Sequence, residues 1–456
     1  MKSKFIPCDR DTLYLMPPSV DDWLPKDHIA RFIVEIVDSL DVSIIEQSYS
    51  SKGRKAYPAK VLLGLIFYGY ISGVYSSRKL ENATHESVPF RYIAANLHPD
   101  HDTIATFRKQ FLKELDSIFL QILLIASEMN ILKLGNVSTD GSKLMANASK
   151  HKALSWEYAK KLEAQLKNEL QYLHKLAEEA DNIPEEMNIP EELARREARL
   201  NAIQTAQKEI EKRAQERHVA EKALYDEKIK QREKHQKQTG KKKAGKSPKP
   251  PTREPRKRDQ VNLTDKESRI MPKSGGGFVQ AYNAQISVDE KTHLIVANHV
   301  TQHTNDKLEI VPALAELKKT EKALNQKVSC LLGDAGYYSE TNVKHCDEAG
   351  ITPLIIDRRD KHNKSLTSRF EHTDKANPEI IDPVVRMKHY MKTKEGKEAY
   401  AKRKSTVEPV FGIIKHVMGF RQFSMRGCDA ASGEWTLVSI AWNLKRMFRL
   451  LCKKAA

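Results

Sequence analysis

The sequence predicts a mixed α/β protein: one sheet with flanking helices, an all-helical region ahead of it, and a long helical hairpin inserted between its strands. Apolar residues recur at helical spacing up to about residue 130. Strand-like and helix-like patterns alternate from Gly277 onward. Between these regions lies a heptad-like, highly charged stretch that fits neither.

Val61, Leu62, Leu65, Ile66 and Tyr70 fall on helical spacing, as do Ile118, Leu120, Leu123, Leu124 and Met129. The polar turn His98–Asp102 separates the two runs, and a short helix is expected from about Thr103 with Asp102 or Thr103 as N-cap. Its Arg108 and Lys109 fit either entry into a DNA groove or the basic face of a small helical bundle. Gly135–Asp140 then reads as a short strand ending in an aspartate, the first of the sheet.

After Ala153, Leu162, Leu166, Leu170, Leu173 and Leu176 form one apolar stripe. Pro184 and Pro190 interrupt it before Leu193, Leu200, Ile203, Ile210 and Ala214 resume. An antiparallel helical hairpin is expected there. The following Lys241–Arg258 run is too rich in proline and charge for a helix, and fits either a phosphate-tracking arm or a solvated linker. From Phe278 the period becomes two, giving a hairpin of strands 278–288 and 293–300. A helix over 308–317, a strand over 328–332, a helix ending before Gly350 as C-cap, and a strand over 351–356 follow. The expected organisation is a helical domain over 1–130 that is a candidate for DNA binding, a sheet domain over 131–150 and 259–456, and an insertion over 151–258.

The formal charge of +17 points to a polyanionic partner, nucleic acid before an anionic membrane surface. No stretch is long and apolar enough for a membrane span, and the N-terminus lacks a signal-peptide pattern. Five scattered cysteines without a C-x-x-C argue for a reducing, cytoplasmic setting and against zinc, so a metal would need oxygen ligands.

Asp140 and Asp334 each end an apolar strand beside a glycine, as Val-Ser-Thr-Asp-Gly and Leu-Leu-Gly-Asp-Ala-Gly. Either one alone reads as a turn or cap residue. With Glu408 they form a set of carboxylates whose repulsion calls for cations, and magnesium or manganese prefer such oxygens. Two such ions about 4 Å apart suit phosphodiester chemistry. Lys404, Glu408 and Lys415 share one helical face, with Val407, Phe411 and Ile414 on another. A second reading makes Ser405-x-x-Glu408 a capping box, with Pro409 marking a helix start near Ser405. Asp265, Asp289, Asp306 and Glu340 read as capping or surface acids.

The strings Asp140–Ser149, Asn262–Met271, Gly276–Gln285, Gly333–Tyr337 and Val407–Lys415 together resemble bacterial insertion-sequence DDE transposases, in the branch with a helical insertion after the first aspartate. The resemblance implies a ribonuclease H-like core and a metal triad of Asp140, Asp334 and Glu408 holding two Mg2+ or Mn2+ ions. It implies cleavage and strand transfer on double-stranded DNA (transposon ends and target) by a homodimer assembled on that DNA. Relatives carry a tyrosine, arginine, glutamate and lysine signature near the transposon-end phosphates. Tyr400, Glu408 and Lys415 match it, while Arg403 and Lys404 both remain candidates for the arginine place. A nuclease without strand transfer and a non-enzymatic DNA-binding scaffold are the rival readings.

Overall fold

The chain divides into two units, each built from both helices and strands. A computed structural model describes residues 19–49, 55–178, 188–240, 245, 247–273, 275–357 and 380–455. The first unit comprises the described parts of 1–144, 283–425 and 429–456, and the second those of 145–282 and 426–428.

In the first unit the helical region forms α1 (Val20–Trp23), α2 (Ile29–Ser39), α3 (Ser43–Gln47), α4 (Ala59–Ser72), α5 (Ser77–Glu86), α6 (Val88–Ile93), α7 (His101–Gln110) and α8 (Glu114–Glu128). Helix α4 is apolar nearly all round and is buried accordingly from Leu62 to Ile71. Helix α7 starts two residues earlier than expected. Asp100 is its N-cap, with its carboxylate accepting from Thr103 N at 2.7 Å. The Arg108 guanidinium donates to Tyr75 O at 2.8 Å. Lys109 is exposed. Among the described residues no single helix is long and apolar enough to cross a membrane; α4 and α5 pass that test only as a pair bent by 97°.

The strands are β1 (Asn136–Met145), β2 (Ala153–Ser155), β3 (Gln260–Asn262), β4 (Arg269–Pro272), β5 (Phe278–Asp289), β6 (Ile295–Thr301), β7 (Cys330–Gly333) and β8 (Thr352–Ile355). In the first unit the order is β6-β5-β1-β7-β8. The β5–β6 pair is the expected antiparallel hairpin, whereas β1–β7 and β7–β8 are parallel. Glu290 N donates to Asn136 O at 3.0 Å and the Thr139 and Ser287 hydroxyls meet at 2.7 Å, so β1 and β5 run in opposite directions. The sheet is therefore mixed, as expected.

Two details differ from the sequence reading. Strand β1 does not stop at Asp140 but runs on to Met145, supported by the long β5, while its pairing with β7 ends at Ser138↔Leu332. Strand β5 is buried on both faces rather than alternately. Part of its cover is helix α15 (Cys428–Ala455), whose Trp435 indole donates to Gln285 O at 2.9 Å. Asn443 of α15 both donates to and accepts from the Ile295 backbone at 2.8 Å, closing hydrogen-bonding groups of β6. The remaining elements of this unit are α11 (Ile310–Leu324), α12 (Glu340–Glu348), α13 (Pro383–Tyr390) and α14 (Lys394–His416). Gly350 follows α12 with a φ of +75°, the left-handed C-terminal position expected of it.

The second unit contains the hairpin of α9 (Trp156–Glu178) and α10 (Ile189–Thr239). Glu169 pairs with Arg196 at 2.9 Å and Glu163 with Gln207 at 2.8 Å, so the helices are antiparallel. Leu166, Leu170, Leu173 and Leu176 are buried, as are Ile203, Ile210 and Ala214. Pro190 does not break α10 because it sits in the first turn, behind the Asn188 N-cap. At 51 residues α10 spans about 76 Å and outruns the 23-residue α9. Pro184 and Lys241, Lys242 and Lys243 lie outside the described residues, and 247–258 contains neither helix nor strand.

One buried acid ties distant parts of the first unit together. Glu434 of α15 is fully buried and accepts from Tyr70 Oη at 3.0 Å, Ser424 N at 2.9 Å and Met425 N at 3.2 Å. Replacing it with alanine strands these donors in the core. We expect Glu434→Ala to lose roughly 2–4 kcal/mol, read as a lower denaturation midpoint. An unchanged midpoint would show the network to be dispensable.

Candidate active site

Parallel pairing of β1 and β7 sets two aspartates side by side. Asp140 lies two residues past the last β1–β7 partner, and Asp334 directly follows Gly333, the last residue of β7. Asp140 Oδ1 accepts from Gly141 N at 2.8 Å, and Asp334 Oδ1 accepts from Gly336 N at 2.8 Å. Each carboxylate is thus held by a backbone N–H of its own segment, β1 for Asp140 and the loop after β7 for Asp334.

Helix α14 brings the third acid. Its N-cap is Thr393, whose hydroxyl accepts from Gly396 N at 3.1 Å. Ser405 therefore sits in the helix interior and donates to Lys402 O at 2.9 Å, which overturns the capping-box reading. Pro409 lies inside the helix, where it removes one backbone donor without ending it. Thr406, Val407, Val410, Phe411 and Ile414 form the buried stripe.

Arg403 belongs to that buried side. Its Nη1 lies 3.2 Å from Asp140 Oδ2 and its Nη2 lies 3.8 Å from Glu408 Oε1. The arginine side chain is 9% exposed, whereas that of Glu408 is 55% exposed. Lys404 points to solvent. Tyr400 Oη donates to Gly333 O at 3.4 Å, and Lys415 Nζ donates to Ser142 Oγ. Of the residues expected at the site, Asp140, Asp334, Tyr400, Arg403, Glu408 and Lys415 thus gather around the 140–142 segment of β1 and the end of β7, and Lys404 does not.

Five further side chains stand in this cluster. Asn283 and Gln285 are two apart on β5 and therefore on one face; their amide nitrogens each lie 2.7 Å from Asp306 Oδ1. Tyr337 Oη donates to Gln285 Oε1. Lys143 Nζ lies 3.4 Å from Asp306 Oδ1. Asp306 is thus not the surface acid its sequence context suggested. The motif strings around 283–285 and 337 were visible, but nothing local to 302–309 marked the aspartate.

Burial pushes the Asp140 carboxyl up to about 6. Arg403 and the Gly141 N–H oppose that shift, while Asp334 and Asp306 add to it. The buried Tyr337 phenol is raised well above its ordinary value, with Asp140, Asp306 and Asp334 adding to the effect of burial. Burial lowers the Lys415 ammonium, and Asp140 opposes this.

The donor set suits a hard divalent cation such as magnesium or manganese. Gly141 and Gly336 leave open the space around it. A Cβ on Gly336 would lie 2.9 Å from Asp334 Oδ1, and one on Gly141 would collide with Gln285 and Asp306. Among the described residues no three His, Cys, Asp or Glu side chains converge tightly enough to hold an ion. The Arg403 guanidinium bridges Asp140 and Glu408 instead.

Residues 18–110 match the family model described as a transposase domain, and residues 251–444 match that of the transposase DDE domain. The second match includes Asp306, Asp334, Arg403 and Glu408, while Asp140 and the hairpin lie outside both. No curated protein and no solved structure matches the chain.

The raised Asp140 carboxyl fixes the sign of a pH effect. Its pKa rises from 3.8 to about 6 on folding, so folding takes up a proton between these values and metal-free stability falls as pH rises through them. Asp140→Asn cannot ionise. In EDTA its melting temperature should gain on that of the unaltered chain across this interval and keep a constant lead above it. A lead independent of pH would contradict the assignment.

Proposed function

The chain belongs to the DDE transposases of insertion sequences, and from that membership we propose that it binds the terminal inverted repeats of its element, cuts the DNA at those ends and joins the 3′ hydroxyl to target DNA. The catalytic domain of this family is ribonuclease H-like, and the family acts on DNA with divalent metal ions. The observation that best supports the reading is the convergence of Asp140 on β1 with Asp334 at the end of the neighbouring β7, with Arg403 of α14 reaching Asp140 and Glu408.

In this reading Asp140, Asp334 and Glu408 hold two Mg2+ or Mn2+ ions. Such ions, when bound, make a water or hydroxyl a better nucleophile and stabilise the leaving oxygen. The chain's own residues orient and hold. Gly141 and Gly336 fix the two aspartates through their N–H groups. Arg403 neutralises Asp140 and Glu408 before cations arrive, and its fork suits a phosphate once they do. Tyr400, Lys404 and Lys415 take further phosphates of the transposon end. Two copies assemble on the DNA, and the reaction takes place in the bacterial cytoplasm, at the nucleoid. The +17 charge supports phosphate-dominated affinity, which should fall by about 0.9 log units per log unit of salt for each phosphate neutralised.

A labelled-end assay tests the chemistry. Alanine at Asp140, Asp334 or Glu408 should reduce both cleavage and strand transfer by about a thousandfold or more, roughly 4 kcal/mol of transition-state stabilisation. End binding in gel shifts should change by no more than about threefold, a free-energy change under 1 kcal/mol. Near-normal transfer by Glu408→Ala would remove that residue from the triad. Cleavage without any joined product would favour a nuclease.

A further inference from the structure

We infer that Asp306 is a fourth carboxylate of the catalytic centre, facing the divalent ions together with Asp140 and Asp334. This rests on the reading above that the centre holds such ions.

Asp306 lies in the connection between β6 and α11, and that connection is held firmly. Glu309 is fully buried, and its two oxygens meet His299 Nε2 at 2.9 Å and His303 Nδ1 at 2.7 Å. Glu309 N donates in turn to Asp306 O at 3.0 Å. The aspartate is therefore fixed by the fold and does not wander on a loose loop.

Its two carboxylate oxygens are treated differently. Oδ1 accepts from Asn283 Nδ2 and Gln285 Nε2 at 2.7 Å each and lies 3.4 Å from Lys143 Nζ. Among the described residues Oδ2 has no donor. The side chain is 20% exposed, enough for water to reach Oδ2. An unpaired anionic oxygen within solvent reach, held in place by its partner oxygen, is how a ligand for a hard cation is presented.

The glycines show where Oδ2 looks. A Cβ on Gly336 would lie 2.9 Å from Asp334 Oδ1 and 3.8 Å from Asp306 Oδ2, so both oxygens border one small space. A Cβ on Gly141, beside Asp140, would lie 2.8 Å from Asp306 Oδ1. Asp306 thus stands beside both Gly141 and Gly336, the neighbours of the two aspartates, whereas Glu408 is more exposed and pairs with Arg403.

Mn2+ titrated calorimetrically into the full-length chain without DNA gives a readout independent of catalysis. Asp306→Asn keeps the shape and the Oδ1 acceptor but removes the charge, and it should weaken Mn2+ binding tenfold or more. Glu340→Gln, on the exposed first turn of α12, should leave it unchanged. Should Asp306→Asn fail to fold, Fe2+ with ascorbate and peroxide on the unaltered chain decides: backbone cuts are expected within 303–309 as well as near 140 and 334, suppressed by Mg2+. A folded Asp306→Asn that binds Mn2+ within twofold of the unaltered chain overturns the inference, as do cuts confined to 140 and 334 where the variant does not fold. If the unaltered chain binds no Mn2+, the metal centre itself is refuted, and the fourth ligand with it.

Discussion

Carboxylates gathered at one sheet edge repel one another, and burial strengthens that repulsion because little water screens it. The chain offsets it with its own cation. Arg403 reaches Asp140, 263 residues away in sequence, and extends a second nitrogen toward Glu408. The charge balance of the site therefore depends on where α14 lies. That placement follows from the apolar stripe Val407, Val410, Phe411 and Ile414 on the same side of the helix as Arg403. Packing and electrostatics select one orientation, and neither would hold Asp140 and Glu408 around one guanidinium without the other.

The sheet supplies the second constraint. Parallel pairing of β1 with β7 sets Asp140, two residues past the last paired position on β1, beside the loop that leaves β7 at Asp334. Strand β5 keeps β1 straight past Asp140 and contributes Asn283 and Gln285 to the same cluster. Between β1 and β5 the chain departs for the whole helical hairpin and returns in register. Loop-closure entropy grows only slowly with length, so such an insertion is tolerable once the strand ends are fixed. On α15, Trp435 and Asn443 bond the backbones of β5 and β6, so the core strands have few unpaired groups left.

Much of this was legible from local pattern. The period-two hairpin, Asp334 directly after its apolar strand and the glycine after α12 depend on neighbours in sequence, and all three were found where expected. What failed depended on distant partners. Strand β1 outlasts Asp140 because β5 supports it, and no signal in 136–145 reports that. Ser405 looked like a cap because Pro409 suggested a break, but α14 is packed along its length and absorbs the proline. Asp100, not Asp102, caps α7 because the carboxylate three residues before Thr103 reaches its N–H. Asp306 escaped notice for the same reason as β1: its partners lie on β1 and β5, and its own segment has no periodicity to read.

The choice between Arg403 and Lys404, open in the sequence, has a geometric answer for the acids. Bridging two carboxylates needs two donors held apart in one rigid group, which a guanidinium has and an ammonium lacks. At 9% exposure the group must also remain charged while largely desolvated, and arginine resists deprotonation far better than lysine. One residue further along, the helix turns the side chain by about 100°, out to solvent, where Lys404 sits. An arginine at 403 with a lysine at 404 thus gives one cation for Asp140 and Glu408 and one for whatever anion approaches from outside. The reverse order would leave Asp140 facing a single-point ammonium, with the fork wasted on water.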